Sequence, residues 1–209
     1  MAGRFSKAEL KKKLHKSVFH IAATEGIEKL TVRKVSAGCN LSDPYLYQCY
    51  SDIPELLRAA FLEIDEGIAE GVARVIKSKQ IDMKDLKSLE RACWVLWNVY
   101  WKYLMQDADR TVFYWRYYQS GYYTKELYKH RLEKYSTFVN FLNEIGENTG
   151  ISEKIDVNVI AIAIIDGTVG MAVNTHRGGQ RMNSIKIKTI YYSVFAFAYK
   201  ILGIDFDLD

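Results

Sequence analysis

Apolar residues recur at helical spacing along most of the chain. Between Ser6 and Glu25, Leu10, Leu14, Val18, Ile21 and Ala22 share one face while lysines occupy the other. Gly26 follows as a stop, free to take a positive φ. Thr31 is placed to cap a short helix that turns Val32 and Val35 inward. Gly38-Cys39-Asn40 reads as a tight turn, because Gly and Asn tolerate left-handed backbone. Ser42-Asp43-Pro44 then restarts a helix, running from Asp43 to about Cys49. Ser is the cap, Asp faces the positive helix end, and Pro fits the first turn. This helix carries Leu46 inward, with Tyr50 four residues on. Asp52-Ile53-Pro54-Glu55 is another start signal, Asp52 capping with Glu three residues later. The long helix behind it lines up Leu56, Leu57, Ala60, Phe61, Ile64 and Ile68, is weakened mildly by Gly67 and Gly71, and ends in Lys77-Ser78-Lys79-Gln80. Further helices are predicted over roughly 83–105, 108–119, 122–148, 153–176 and 184–203, the last two parted by Gly178-Gly179. No strand-like alternation with hairpin signals interrupts this pattern, so an all-α fold is expected.

Composition narrows the class. The chain has 209 residues, 49% of them apolar, which is enough for a sizeable core. Its net charge of +4 is unevenly spread: residues 1–50 hold nine Lys/Arg and four Asp/Glu, and the remainder is close to neutral. A basic N-terminal fifth on a near-neutral body suggests a nucleic-acid-binding head, with a solvated charged helix face as the plainer alternative. The three cysteines, Cys39, Cys49 and Cys93, lack any C-x-x-C spacing, which points to reduced thiols in a cytoplasmic protein. Cys39 and Cys49 are expected as small packing residues, with redox sensing as the other option. Lys11, Lys12 and Lys13 break any signal-peptide core. The most apolar run, Val157 to Val173, contains Asn158, Asp166 and Thr168 and is read as a buried or interface helix, with no membrane span.

Two short helices joined by a Gly/Asn turn and preceded by a basic helix fit a helix-turn-helix. The first short helix braces the second, whose N-terminal end enters the major groove, while the surrounding lysines neutralise phosphates. The stretch Thr31 to Leu57, TVRKVSAGCNLSDPYLYQCYSDIPELL, resembles the DNA-binding signature of the tetracycline-repressor (TetR) family. Thr31, Val35, Ser42, Leu46, Tyr47, Tyr50, Leu56 and Leu57 match it in register, as does the first-helix ending Ala22-Ala23…Glu25-Gly26. The resemblance covers about residues 10–60. Asn40 stands where the family commonly has a turn Gly, and Pro44 where it often has Gly in the reading helix. Ile53 replaces a frequent phosphate-contacting Lys, and Asp43 on the DNA side repels phosphates but can accept from a cytosine amine.

The resemblance implies roles for individual residues. Tyr47 is expected to contact phosphate, and Thr31 to serve as both cap and phosphate contact. Ser42, Asp43 and Pro44 form the leading edge of the reading helix, and Arg33 is a groove or backbone donor. Tyr45 and Gln48 are the candidate base readers, Gln48 because it can bond adenine at two atoms. For Tyr45 a packing role is the open alternative. The expected division is a helix-turn-helix DNA-binding domain over 1–51 and a larger helical effector-binding and dimerisation domain over 52–209.

That body is rich in aromatic residues. Trp97, Tyr100, Trp101 and Leu104 share one predicted helix face, and Phe113, Tyr114, Trp115, Tyr117 and Tyr118 follow on the next helix. Each ring taken singly is ordinary core. Together they suggest an apolar pocket with a few polar tips, and the family places its effector pocket in this region. Trp97, Tyr100, Trp101, Tyr114, Tyr117, Tyr118 and Asp166 are therefore the candidate ligand contacts, for an apolar or aromatic molecule, with a cationic one as a further option. A structural bond to a neighbouring helix is the alternative for Asp166. Gly167, Gly170 and Ala172 permit close helix approach, and the last helix offers Ile187, Ile190, Tyr191, Val194, Phe195, Ala198 and Leu202. The resemblance implies that these two helices form the seam of a homodimer, whose two heads read two half-sites.

His15, His20, His130 and His176 are scattered, and neither metal-ligand spacing, a phosphate-binding glycine loop nor a nucleophile motif occurs. No catalytic residue, metal or cofactor is expected. The expected function is a repressor that binds operator DNA as a dimer and is released by a small effector. The rival is a helical adaptor or sensor that has lost specific DNA binding. Whether the ligand releases or promotes DNA binding stays open.

Overall fold

Capping chemistry decides where most of the helices begin. In the computed structural model, which describes residues 5–78, 81–150, 155–179 and 181–202, helix α1 spans Lys7–Thr24. Ser6 and Glu9 close a reciprocal capping box at its start. Gly26 then takes φ 113° and opens a single 3-10 turn, Ile27–Lys29. Helix α2 (Val32–Gly38) starts at Thr31, whose hydroxyl accepts from the Lys34 amide at 3.3 Å. Helix α3 (Asp43–Tyr47) starts after Ser42, whose side chain makes no capping bond, so that part of the expectation does not hold. With Pro44 in the first turn and Asp43 beside the helix end, fixed φ and charge stand in for the missing cap. The helix also stops two residues short of Cys49.

Helix α4 (Ile53–Ser78) is capped by Asp52, which accepts from the Glu55 amide at 2.8 Å. Glu55 reaches back one residue further than expected, to the amide and hydroxyl of Ser51 at 2.6 and 2.7 Å. Asp85 caps α5 (Leu86–Met105), Asp107 caps α6 (Ala108–Tyr118) and Asp156 caps α9 (Val157–Gly178). The single helix expected over 122–148 is two, α7 (Lys125–Lys134) and α8 (Ser136–Asn148), broken at Tyr135 with φ −89° and ψ 10°. The halves differ in what they bury. Polar α7 buries only Leu127, whereas α8 carries Phe138, Phe141, Leu142 and Ile145 into a core cluster. Gly179 ends α9 in the left-handed region at φ 58°, and α10 covers Ser184–Leu202. Residues 79–80, the expected start of α9 at 153 and the expected end of α10 at 203 lie outside the described residues. No strand occurs among those described.

The chain divides into two compact units. The first comprises Met1–Gly67 with Asp107–Tyr128, and the second Ile68–Gln106 with Lys129–Asp209. The core of the first is the predicted apolar stripes: Leu14, Val18, Val35, Leu46, Leu56, Leu57 and Phe61 are essentially inaccessible. Each such side chain stabilises by about 1.5–3 kcal/mol. Helix α6 joins this core through Phe113, which packs on Phe19, and through Arg116, which donates to the Ala22 carbonyl near the end of α1. Gly38 is helical, and its role differs from the turn role expected of it. A Cβ there would overlap the Ser17 hydroxyl, so glycine is what lets α2 lie close on α1. The left-handed turn residue is Asn40, at φ 55°. In the second unit, Val72, Leu89, Ala92, Leu96, Phe141 and Ile145 form one cluster. Trp94, Trp97, Tyr191, Phe195 and Tyr199 pack ring on ring between α5 and α10.

Candidate nucleic-acid interface and effector-binding residues

In the first unit, α2 and α3 are held from inside by Val35 and Leu46, and their outer faces are left to solvent. Thr31, Arg33, Ser42, Asp43, Pro44 and Gln48 are exposed, and Tyr47 is 58% exposed although it is a large aromatic. Tyr45 is half-buried, so it both packs and reaches the surface. All eight candidate DNA contacts thus lie on the two short helices or their flanks, with none enclosed. Ile53, where a phosphate-contacting Lys is frequent, is half-buried at the start of α4. Lys34 is paired with Glu25. Beneath this surface Tyr50 is buried and its hydroxyl meets His15.

The candidate ligand contacts fall into both units. Tyr114, Tyr117 and Tyr118, on α6, belong to the first. Phe61 stacks on Tyr114 at 5.0 Å and on Tyr117 at 4.5 Å, ring centre to ring centre. The Tyr114 hydroxyl donates to Asp65 at 2.8 Å, and the Tyr117 hydroxyl to the Tyr122 carbonyl at 3.2 Å. Burial pushes the Tyr117 phenol up to about 12. Tyr118 packs on Tyr123 at 4.6 Å.

Trp97, Tyr100, Trp101 and Asp166 belong to the second unit. Trp97 stacks on Trp101 at 5.4 Å, and its indole N–H donates to the Thr168 hydroxyl on α9 at 2.9 Å. Both tryptophans and Tyr100 are buried. Asp166 is half-buried; desolvation raises its carboxyl above the ordinary range, against the opposing pull of Arg131. The Tyr191 and Tyr199 hydroxyls bond each other, and burial pushes both phenols up. The polar tips of these aromatics are largely engaged within the chain, as burial requires.

Sequence reasoning passed over several of the polar partners. Asp65, His15 and Thr168 sit on or beside apolar stripes and are buried there. Asp65 lies four residues after Phe61 and three before Ile68, on the flank of the α4 stripe, where a polar residue reads as the edge of the solvent face. Thiol chemistry is disfavoured at two sites. Burial raises the Cys39 thiol above its usual range and the Cys93 thiol to about 12, leaving little thiolate at neutral pH.

Helices α9 and α10 present a further surface. Gly167 brings them together, since a Cβ there would stand 3.3 Å from Val194 Cγ1. Ala172 is fully buried, whereas Gly170 has open space beside it. Tyr191 and Phe195 are taken up by this chain's own core, and Ile187, Ile190, Val194 and Ala198 are half-buried. Val159, Ile162 and Met171 of α9 and Ile185 and Phe197 of α10 remain exposed. By length and composition α9 is apolar enough to cross a bilayer. Its Val169, Ala172 and Val173 are nevertheless buried by the rest of the chain, and Thr168 is tied to α5. Among the described residues, no group of three or more His, Cys, Asp or Glu is arranged to hold a metal.

No family model matches the sequence, and no curated protein matches it either. Solved structures do. A TetR family transcription regulator from Marinobacter aquaeolei superposes with a TM-score of 0.68 at 14% identity, over 90% of this chain and 94% of that one. A TetR-like transcriptional regulator from Rhodococcus sp. gives 0.63 at 16% identity, over 96% and 99%. The fatty acid degradation regulator FadR from Bacillus halodurans gives 0.64 at 14%, over 96% and 97%. The all-α fold of this chain is therefore the fold of these TetR-type structures, over nine-tenths or more of its length.

Proposed function

We propose that the chain is a cytoplasmic transcription regulator that binds operator DNA as a homodimer and is released by a small apolar or aromatic effector. The observation that carries this reading is the outer face of α2 and α3. A short helix held by buried Leu46 projects exposed Asp43, Pro44, Tyr47 and Gln48, with Thr31 and Arg33 beside it, in a fold shared with TetR-type regulators. A large aromatic left in water on a five-residue helix has no use in this chain's own core. Tyr47 and Thr31 contact phosphate, and Gln48 reads a base. Asp43 accepts from a base amine. Two copies joined along α9 and α10 supply two such heads, and the exposed apolar side chains of those helices support that seam.

The candidate effector contacts are taken unit by unit: buried Trp97, Tyr100 and Trp101 with half-buried Asp166 in the second, and buried Tyr114 and Tyr117 with half-buried Tyr118 in the first. An apolar effector agrees with the named role of the fold-sharing FadR in fatty acid degradation. A ligand that favours one head spacing shifts the population away from the DNA-bound one. Helix α4 is the natural lever, because its 26 residues run from the head into the body.

Fluorescence anisotropy on duplex DNA flanking the chain's own gene tests the reading, with a scrambled duplex as control. Selective binding that falls steeply as salt rises is expected. Gln48→Ala should relax the preference, and Tyr47→Phe should weaken both duplexes alike. Absence of binding to any duplex at low salt would favour the helical adaptor.

A further inference from the structure

In the first unit, His15 and Tyr50, both buried beneath the reading surface, are joined end to end with the exposed carboxylate of Glu63. His15 sits on α1 beside Leu14 and is only 4% exposed. Its Nδ1 lies 2.5 Å from Glu63 Oε2 on α4, and its Nε2 lies 2.7 Å from the hydroxyl of Tyr50, three residues beyond α3. The imidazole also stacks on the Tyr50 ring at 5.8 Å. A carboxylate only accepts, and the bond from His15 holds Glu63 below its ordinary range. With one ring proton, Nδ1 donates to Glu63 and Nε2 accepts from the Tyr50 hydroxyl. With that single ring proton the chain of bonds runs from Tyr50 through His15 to Glu63.

Helix α3 needs such a tie. It has five residues, too few to be stable by itself, and its Ser42 side chain makes no cap bond. Leu46 anchors it by burial, which sets depth but is non-directional. With Leu46 as its one buried side chain and Tyr45 only half-buried, α3 can turn about that anchor. The second anchor, four residues on, is Tyr50, and a hydrogen bond is directional. We propose that His15 is a positioning residue for DNA reading: clamped to α4 by Glu63, it orients Tyr50 and so fixes the rotation at which α3 presents Tyr47 and Gln48. The inference rests on the regulator reading above, but its first consequence belongs to the free chain.

Amide hydrogen exchange of the free protein measures that consequence. The amides of residues 48, 49 and 50 close the end of α3 onto the Pro44 and Leu46 carbonyls. Tyr50→Phe keeps the ring and removes one hydroxyl. Those three amides should then exchange up to about tenfold faster, the scale of one lost net hydrogen bond, with the interior of α1 unchanged. Two substitutions at His15 separate positioning from packing. His15→Gln keeps a donor and an acceptor, whereas His15→Leu fills the space without either. A positioning role ranks Gln above Leu in selectivity for operator over scrambled duplex, and a packing role ranks them the other way. Unchanged exchange in Tyr50→Phe, or a Leu variant at least as selective as the Gln variant, overturns the proposal. A wild-type chain that binds no duplex sinks the regulator reading instead, and the exchange of Tyr50→Phe then decides the seat of α3 alone.

Discussion

Asp166 occupies the middle of the most apolar helix, half out of water, with Arg131 as the cation that acts on it. Its carboxyl is raised in the folded state, so ionising it there costs more than ionising it in the unfolded chain. The penalty is absent below the unfolded value of 3.8, grows as pH rises, and is complete above the folded value. Asp166→Asn should therefore be more stable than wild type in urea at pH 7, with the gap closing as pH falls toward 3.8. A variant less stable at pH 7 would mean that Arg131 outweighs desolvation. A carboxylate inside the run VIAIAIIDGTVGMAV is conspicuous in sequence, and that is why it was legible. His15 and Asp65 were not, because each adjoins an apolar stripe whose period accounts for the helix without it. Their partners lie far along the chain, Glu63 at 48 residues from His15 and Tyr114 at 49 from Asp65. No local pattern encodes a meeting over that distance.

The two short helices begin in different ways, and their stabilities should respond differently. Thr31 caps α2 through its side chain, while Ser42 precedes α3 without a bond. Thr31→Ala should lower unfolding stability by about 1 kcal/mol, whereas Ser42→Ala should cost only a few tenths, about the scale of a substitution that removes no cap bond. Equal losses in urea denaturation would show that Ser42 engages a partner in solution. The helix starts at Thr31 and Asp52 were legible, since both carry their caps in their chemistry, whereas the starts expected at 83 and 122 fall at Leu86 and Lys125. The break between α7 and α8 had no such marker. Tyr135 is neither Gly nor Pro, and the only hint is the change from the polar KELYKHRLEK to the apolar spacing of Phe138, Phe141, Leu142 and Ile145.

At the scale of the molecule, α9 and α10 leave more large apolar side chains in water than the rest of the second unit among the described residues, Val159 at 62% and Phe197 at 63% among them. A homodimer that covers them should elute from size exclusion with twice the mass of one chain by light scattering. Phe197→Asp removes that burial in both copies, about 3 kcal/mol or more, and should raise the dissociation constant roughly a hundredfold. A wild-type chain that stays monomeric at micromolar concentration would refute the seam. The all-α class and the helix-turn-helix were legible from periodicity and turn residues. That α6 shares a core with α1 was not, because the Phe19–Phe113 and Ala22–Arg116 meetings are products of folding. The first compact unit is consequently written in two separate passages of the gene. A segment ending anywhere in α4 would encode α1 to α3 without Phe113, Tyr114 and Arg116. The reading surface and α6 therefore travel together only in a segment that reaches past Tyr128 and also carries residues 68–106 of the second unit, which links the three passages. A new DNA preference is then reached by substitutions on the exposed side of α3, which leave that linkage untouched.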